Sequence, residues 1–141
     1  MSGKKKFFLD TAPIIYFLES DETFGSIVSQ KIEEIINGGN LLVISSLCYG
    51  EYLTIPFRNH DSIKEKNFYK FIKDLNIIVY DINIDIMKQA AKFRAKYKGL
   101  KMPDAIQLAT AKYTGCIEFI TNDKQLKAIE EVNSVILAEL D

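Results

Sequence analysis

Four carboxylates stand out by position: Asp10, Glu51, Asp104 and Asp123. The chain carries 19 acidic residues, so most of them must be solvated surface. Asp10 directly follows the apolar run Phe7-Phe8-Leu9, and Asp123 follows Phe119-Ile120 after Thr121-Asn122. Asp104 stands after Pro103, in the first turn of a segment whose neighbours Ala105, Ile106, Leu108 and Ala109 read as buried. Glu51 lies among Leu47, Cys48, Tyr49, Tyr52 and Leu53, a carboxylate in an otherwise apolar helix. Singly, each has a plain structural reading. Asp10 and Asp123 could cap helices, Asp104 could favour the positive end of its helix dipole, and Glu51 could pair with a lysine. Jointly, carboxylates converging on one edge repel unless a cation sits between them, and hard divalent cations fill that role. Mg²⁺ or Mn²⁺ so held would lower the pKa of a water and neutralise charge on a phosphodiester. Two ions about 4 Å apart would stabilise both the attacking and the leaving oxygen. The single histidine, His60, cannot supply the acid–base pair of metal-free phosphodiester cleavage.

The elements that must position these residues alternate between short apolar runs and helical patterns. Lys6–Leu9 reads as a strand. Ala12–Glu19 reads as a helix, with Thr11 able to cap it and Pro13 near its first turn. Ser26–Asn37 carries Val28, Ile32, Ile35 and Ile36 at helical spacing, and Gly38-Gly39 stops it. Leu41–Ile44 is a buried-strand run, after which Ser45-Ser46 can cap the helix through Glu51. Ile63–Leu75 and Ile84–Tyr97 are helical, with Ile77–Tyr80 a strand between them. Pro103–Tyr113 is a helix opened by proline and ended by Gly115. Ile117–Ile120 is a strand, Lys124–Ala128 a short helix and Val135–Leu137 a last strand. Such alternation implies an α/β fold, with a short, mostly parallel sheet flanked by helices on both faces. Sites in such sheets form at the carboxyl ends of the strands, the rim that Asp10 and Asp123 occupy.

The 141 residues fit a single domain spanning 1–141. Hydrophobic residues at 48% and charged residues at 26% argue against disorder. No apolar run approaches the roughly 18 residues of a membrane span. The basic start Met1–Lys6 leads only into Phe7-Phe8-Leu9, too short for a signal-peptide core, so a cytoplasmic location is expected. Cys48 and Cys116 form no CxxC pattern and read as buried free thiols. A net charge of -1 excludes a protein that coats nucleic acid by bulk charge and requires any such contact to be a local patch.

Four segments resemble PIN-domain ribonucleases of the VapC toxin type. Phe8-Leu9-Asp10-Thr11-Ala12 is similar to their opening strand and first catalytic aspartate. Ile44–Tyr52 is similar to the second strand and the helix bearing the glutamate. Met102–Ala111 resembles the third motif, an aspartate leading an alanine-rich helix. Phe119–Leu126 resembles the fourth, a strand ending in Thr-Asn-Asp. The four occur in the family's order across nearly the whole chain. The resemblance implies the three-layer PIN fold and a Mg²⁺- or Mn²⁺-dependent endoribonuclease. It further implies a homodimer neutralised by an antitoxin from the same operon. Carried over, Asp10, Glu51, Asp104 and Asp123 become the catalytic, metal-holding carboxylates, supported by Thr11, Thr121 and Asn122. Relatives also act in RNA processing and decay, and some are catalytically weak binding modules.

Lys88, Lys92 and Lys96 recur at helical spacing, with Arg94, Lys98 and Lys101 extending the basic run. They could hold RNA phosphates or form the solvated face of an amphipathic helix. Tyr49, Tyr52, Phe57 and Arg58 could stack bases or pack in a core or dimer interface; Tyr16, Phe17 and Leu18 could line a partner groove. Aspartate-nucleophile phosphatases resemble Asp-x-Asp after the first strand, but Ala12 stands where the second aspartate would be. A phosphoacceptor receiver domain would need its reactive aspartate later than Asp10. His60, in the polar stretch Arg58–Asp61, does not suit a Ser-His-Asp hydrolase.

Overall fold

The computed structural model describes residues 3–140; Met1 and Ser2 of the basic start, and Asp141, lie outside the described residues. Its strands are β1 (Lys6–Leu9), β2 (Leu41–Ser45), β3 (Ile78–Tyr80), β4 (Glu118–Thr121) and β5 (Ser134–Ile136). They form one five-stranded sheet in the order β3-β2-β1-β4-β5, parallel at every pairing. The helices are α1 (Thr11–Leu18), α2 (Gly25–Asn37), α3 (Leu47–Arg58), α4 (Ser62–Asp74), α5 (Ile84–Lys96) and α6 (Met102–Tyr113). A 3-10 turn, Lys124–Ala128, follows β4.

The pleat explains why the strands are apolar throughout. Phe7, Leu9, Leu42, Ile44 and Ile120 point into a core covered by α1, α2, α3 and α4. Phe8, Val43 and Phe119 point the other way, into a core under α5, α6 and the 3-10 turn. Successive strand residues face opposite layers, so both faces must be apolar and period-2 alternation disappears. Phe8 and Phe119, neighbours across β1 and β4, stack with centroids 5.3 Å apart. The result is a three-layer α/β architecture. No helix among the described residues is long and apolar enough to cross a membrane.

Several boundaries differ from the sequence reading. Thr11 does not cap α1. The helix starts at Thr11, and the Asp10 carboxylate accepts the Thr11 N–H at 2.9 Å. Asp10 has extended backbone (φ -69°, ψ 166°) and is the sole link between strand and helix, so the cap must come from it. Ser46 makes no side-chain cap to α3; Ser45, the last residue of β2, accepts the Leu47 N–H at 3.2 Å instead. β5 ends at Ile136 rather than Leu137, and the Lys124–Ala128 helix is of the tighter 3-10 kind. The mainly parallel sheet expected from the sequence is observed, parallel at every pairing. Cys48 is buried as expected, but Cys116 is only partly so.

Candidate active site

β1 is the central strand. The chain moves from it to β2 and β3 on one side and later returns to β4 and β5 on the other. Connections therefore diverge at the carboxyl ends of β1 and β4, the switch point where open parallel sheets leave a crevice. Asp10 leaves β1 there and ties the two strand ends through its N–H to the Ile120 carbonyl, 2.9 Å. Thr121 ends β4, and Asp123 follows it as cap of the 3-10 turn, accepting the Gln125 N–H at 3.0 Å. The first turn of α6 delivers Asp104 and the second turn of α3 delivers Glu51. All four carboxylates line one cavity of about 660 Å³, with Thr11, Gln107, Thr121 and Asn122 in its wall.

Glu51 is explained by this placement. α3 is not apolar all round: Cys48, Tyr52, Leu53 and Pro56 are buried while Gly50, Glu51 and Thr54 are exposed. Glu51 is held toward the cavity by the Thr11 hydroxyl, which donates to Oε1 at 2.6 Å. Asp10 accepts from the Thr121 hydroxyl at 2.8 Å on Oδ2 and from Thr11 N–H on Oδ1. The same Thr121 oxygen accepts the Asp123 N–H at 3.2 Å, so one residue ties two of the carboxylates. Asn122 braces rather than reaches in. Its amide donates to the Tyr16 hydroxyl at 3.4 Å and its carbonyl accepts the Ala138 N–H at 2.9 Å.

Gln107 was not singled out as a candidate site residue from the sequence. It is 1% exposed on α6, one turn after Asp104. Its carbonyl accepts from the Ser45 hydroxyl at 2.5 Å. Its amide donates to Thr11 Oγ1 at 3.2 Å and lies 3.4 Å from Asp10 Oδ1. Thr11 Oγ1 accepts this bond, so its own proton is directed to Glu51. A one-way chain results: Leu47 N–H, Ser45, Gln107, Thr11, Glu51. The available signal was a lone amide on the buried face of an alanine-rich helix, a placement that demands partners.

The electrostatics are those of crowded anions. Burial, chiefly, pushes the Asp10 carboxyl up to about 6, against the donors Thr121 and Thr11, with Asp104 and Glu51 adding like-charge repulsion. Burial also raises Asp104, followed by repulsion from Asp123 and Glu51, while Lys101 opposes the rise. Burial pushes the Cys48 thiol up to about 11, which makes it inert as a nucleophile. Among the described residues no three acidic, histidine or cysteine side chains are grouped so as to hold a metal ion. The donor set is of the kind a hard divalent cation takes: all four acidic groups offer oxygen and line one cavity.

Of the aromatic and flanking residues named from the sequence, only Tyr16 reaches the cavity. Tyr52 is buried, stacked on Phe68 at 4.9 Å, and Tyr49 meets the same ring edge-on. Phe57 and Arg58 are exposed at the far end of α3. Tyr16 lines the cavity, while Phe17 and Leu18 pack against the first core.

A family model described as PIN domain matches residues 7–132. No curated protein matches the sequence. Several solved structures share the fold. VapBC2 from Rickettsia felis, bound to a DNA fragment from its promoter, superposes with a TM-score of 0.76 at 14% identity, over 93% of this chain and 98% of that one. A toxin–antitoxin complex from Klebsiella pneumoniae gives 0.70 at 24% identity, over 94% and 98%. VapC20 from Mycobacterium tuberculosis, a toxin that cleaves the sarcin–ricin loop, gives 0.69 at 15% identity, over 90% and 98%.

Proposed function

Because this chain belongs to the PIN domain family, we propose that it is a divalent-metal-dependent endoribonuclease, the toxin of a VapBC-type toxin–antitoxin pair. The observation that carries the reading is the gathering of Asp10, Glu51, Asp104 and Asp123 around one cavity at the switch point of the sheet. In this reading those carboxylates hold Mg²⁺ or Mn²⁺, whose Lewis acidity when bound activates water and neutralises charge on the phosphoryl group. Asp10, held on both oxygens, is the fixed point of the set. Thr11 orients Glu51 toward it, and Thr121 keeps Asp10 and Asp123 in register. The raised proton affinities of Asp10 and Asp104, due first to burial and then to neighbouring carboxylates, support a functional role for the site. RNA as substrate is supported by the fold shared with a loop-cleaving RNA toxin, and an antitoxin partner by the fold shared with toxin–antitoxin complexes. Self-association into a homodimer belongs to the same reading.

The test is purified protein on RNA with Mg²⁺ or Mn²⁺, beside Asp10→Asn and Asp104→Asn and a chelator control. Cleavage is expected from the wild type alone, by at least about 100-fold over either variant. Equal cleavage by all three would identify a contaminant and end the assignment. For the toxin role, expression should arrest growth, and co-expression of a short neighbouring reading frame should relieve it.

A further inference from the structure

We propose that the groove beside the carboxylate cavity carries the backbone of a single RNA strand, with Lys98 and Lys101 facing its phosphates. The inference rests on the RNA reading of the site and adds how substrate is held there. A second cavity of about 560 Å³ adjoins the first, and Asp104, Asp123 and Gln125 line both. It is lined by the segment after α5, running through Lys98 and Lys101, and by Leu100, Leu126 and Ile129. The last three are buried.

The segment after α5 is fixed by hydrogen bonds. Arg94 Nε donates to the Leu100 carbonyl at 2.9 Å. The Tyr97 hydroxyl donates to Glu131 at 2.6 Å and accepts the Glu130 N–H at 3.2 Å. The structure also divides the basic run that the sequence presents as one stripe. Lys96 lines the groove as well but is engaged by Glu131 at 3.0 Å. Lys88 lines a different cavity, with Ile84 and Met87. Lys98 and Lys101 are exposed, line the groove and form no salt bridge among the described residues.

Physical chemistry selects the occupant. A cavity of carboxylates repels phosphate, so substrate reaching it needs cations beside it. The chain has a net charge of -1, so those cations must be local. Exposed lysines along a groove that opens onto the carboxylates match a phosphate backbone, and a concave path of this kind admits a flexible strand more readily than a stiff duplex.

The test is fluorescence anisotropy of a labelled short single-stranded RNA, titrated with protein in Ca²⁺ across a KCl series. The proteins are the wild type, the double variant Lys98→Ala/Lys101→Ala, and Lys88→Ala as control. The double variant should bind roughly tenfold more weakly, and its log–log salt slope should be shallower by about 1.4, at about 0.7 per lost phosphate contact. The control should match the wild type. Unchanged affinity and slope in the double variant would overturn the proposal. So would a polyglutamate peptide that binds as tightly as RNA and depends on the same lysines, since the groove would then be a protein-docking site. The two readings fail separately. A wild type that cleaves RNA with Mg²⁺ while the double variant binds normally removes the groove alone; a wild type that shows the expected slope but cleaves nothing removes the nuclease alone.

Discussion

Asp10 accepts bonds from the Thr11 N–H and the Thr121 hydroxyl, yet burial and two neighbouring carboxylates hold its carboxyl at about 6 rather than 3.8. A folded-state pKa raised above the unfolded value means that the native protein binds more protons between the two values. Stability therefore increases as pH falls through about 6 toward 4, and ionised Asp10 works against folding at neutral pH. Its partial exposure limits that penalty to about 2 kcal/mol. In a chelator, the melting temperature of Asp10→Asn relative to wild type should be higher near pH 7 and lose that advantage near pH 5; a constant difference would show that Asp10 does not titrate in this range. Gln107 gives the second residue-scale expectation. Gln107→Leu strips the partner from the Ser45 hydroxyl and the donor from Thr11. Stability should fall by about 1–3 kcal/mol, read as a lower denaturant midpoint. Because Thr11 then no longer aims at Glu51, kcat should fall by roughly 10–100-fold with KM little changed.

At the scale of elements, caps and turn residues were the readable features, because they act through neighbours in sequence. Pro103 stands in the first turn of α6, which begins one residue earlier at Met102, and Gly115 lies just past its end with φ 74°, a conformation suited to glycine. For α1 the cap was assigned to Thr11 but comes from Asp10, the residue between β1 and the helix; of the Ser45-Ser46 pair offered for α3, only Ser45, the last residue of β2, bonds to it. Only pairing of β1 and β2 shows where those strands stop. α4 offers a control remote from the site. Its cap, Asp61, accepts the Lys64 N–H at 3.1 Å, so Asp61→Ala should lower unfolding free energy by about 1 kcal/mol and leave RNA cleavage per folded molecule unchanged. A loss of cleavage in that variant would connect α4 to the site by a route absent from the hydrogen bonds seen here.

At the scale of the whole molecule, four like charges on one cavity set stability against function. Filling the cavity with Mn²⁺ should therefore stabilise the fold, by about 2.7 kcal/mol at a free concentration 100 times Kd, or roughly 10 °C in melting temperature. A chelator should reverse the shift, and Asp104→Asn should abolish most of it. No Mn²⁺-dependent shift in the wild type would argue against metal at these carboxylates. The sequence by itself determined the alternation of elements, the doubly covered strands and the placement of Asp10 and Asp123 at strand ends, because hydrophobic period and strand-end position are local properties. Tertiary structure decided the rest. It alone made β1 and β4 neighbours, 111 residues apart at the Thr121–Asp10 bond. It also turned Glu51 from an oddity of an apolar helix into the exposed face of an amphipathic one, and set Gln107 at the centre of a relay joining three helices and a strand. Those arrangements depend on which faces are buried together, and no single stretch of sequence carries that information.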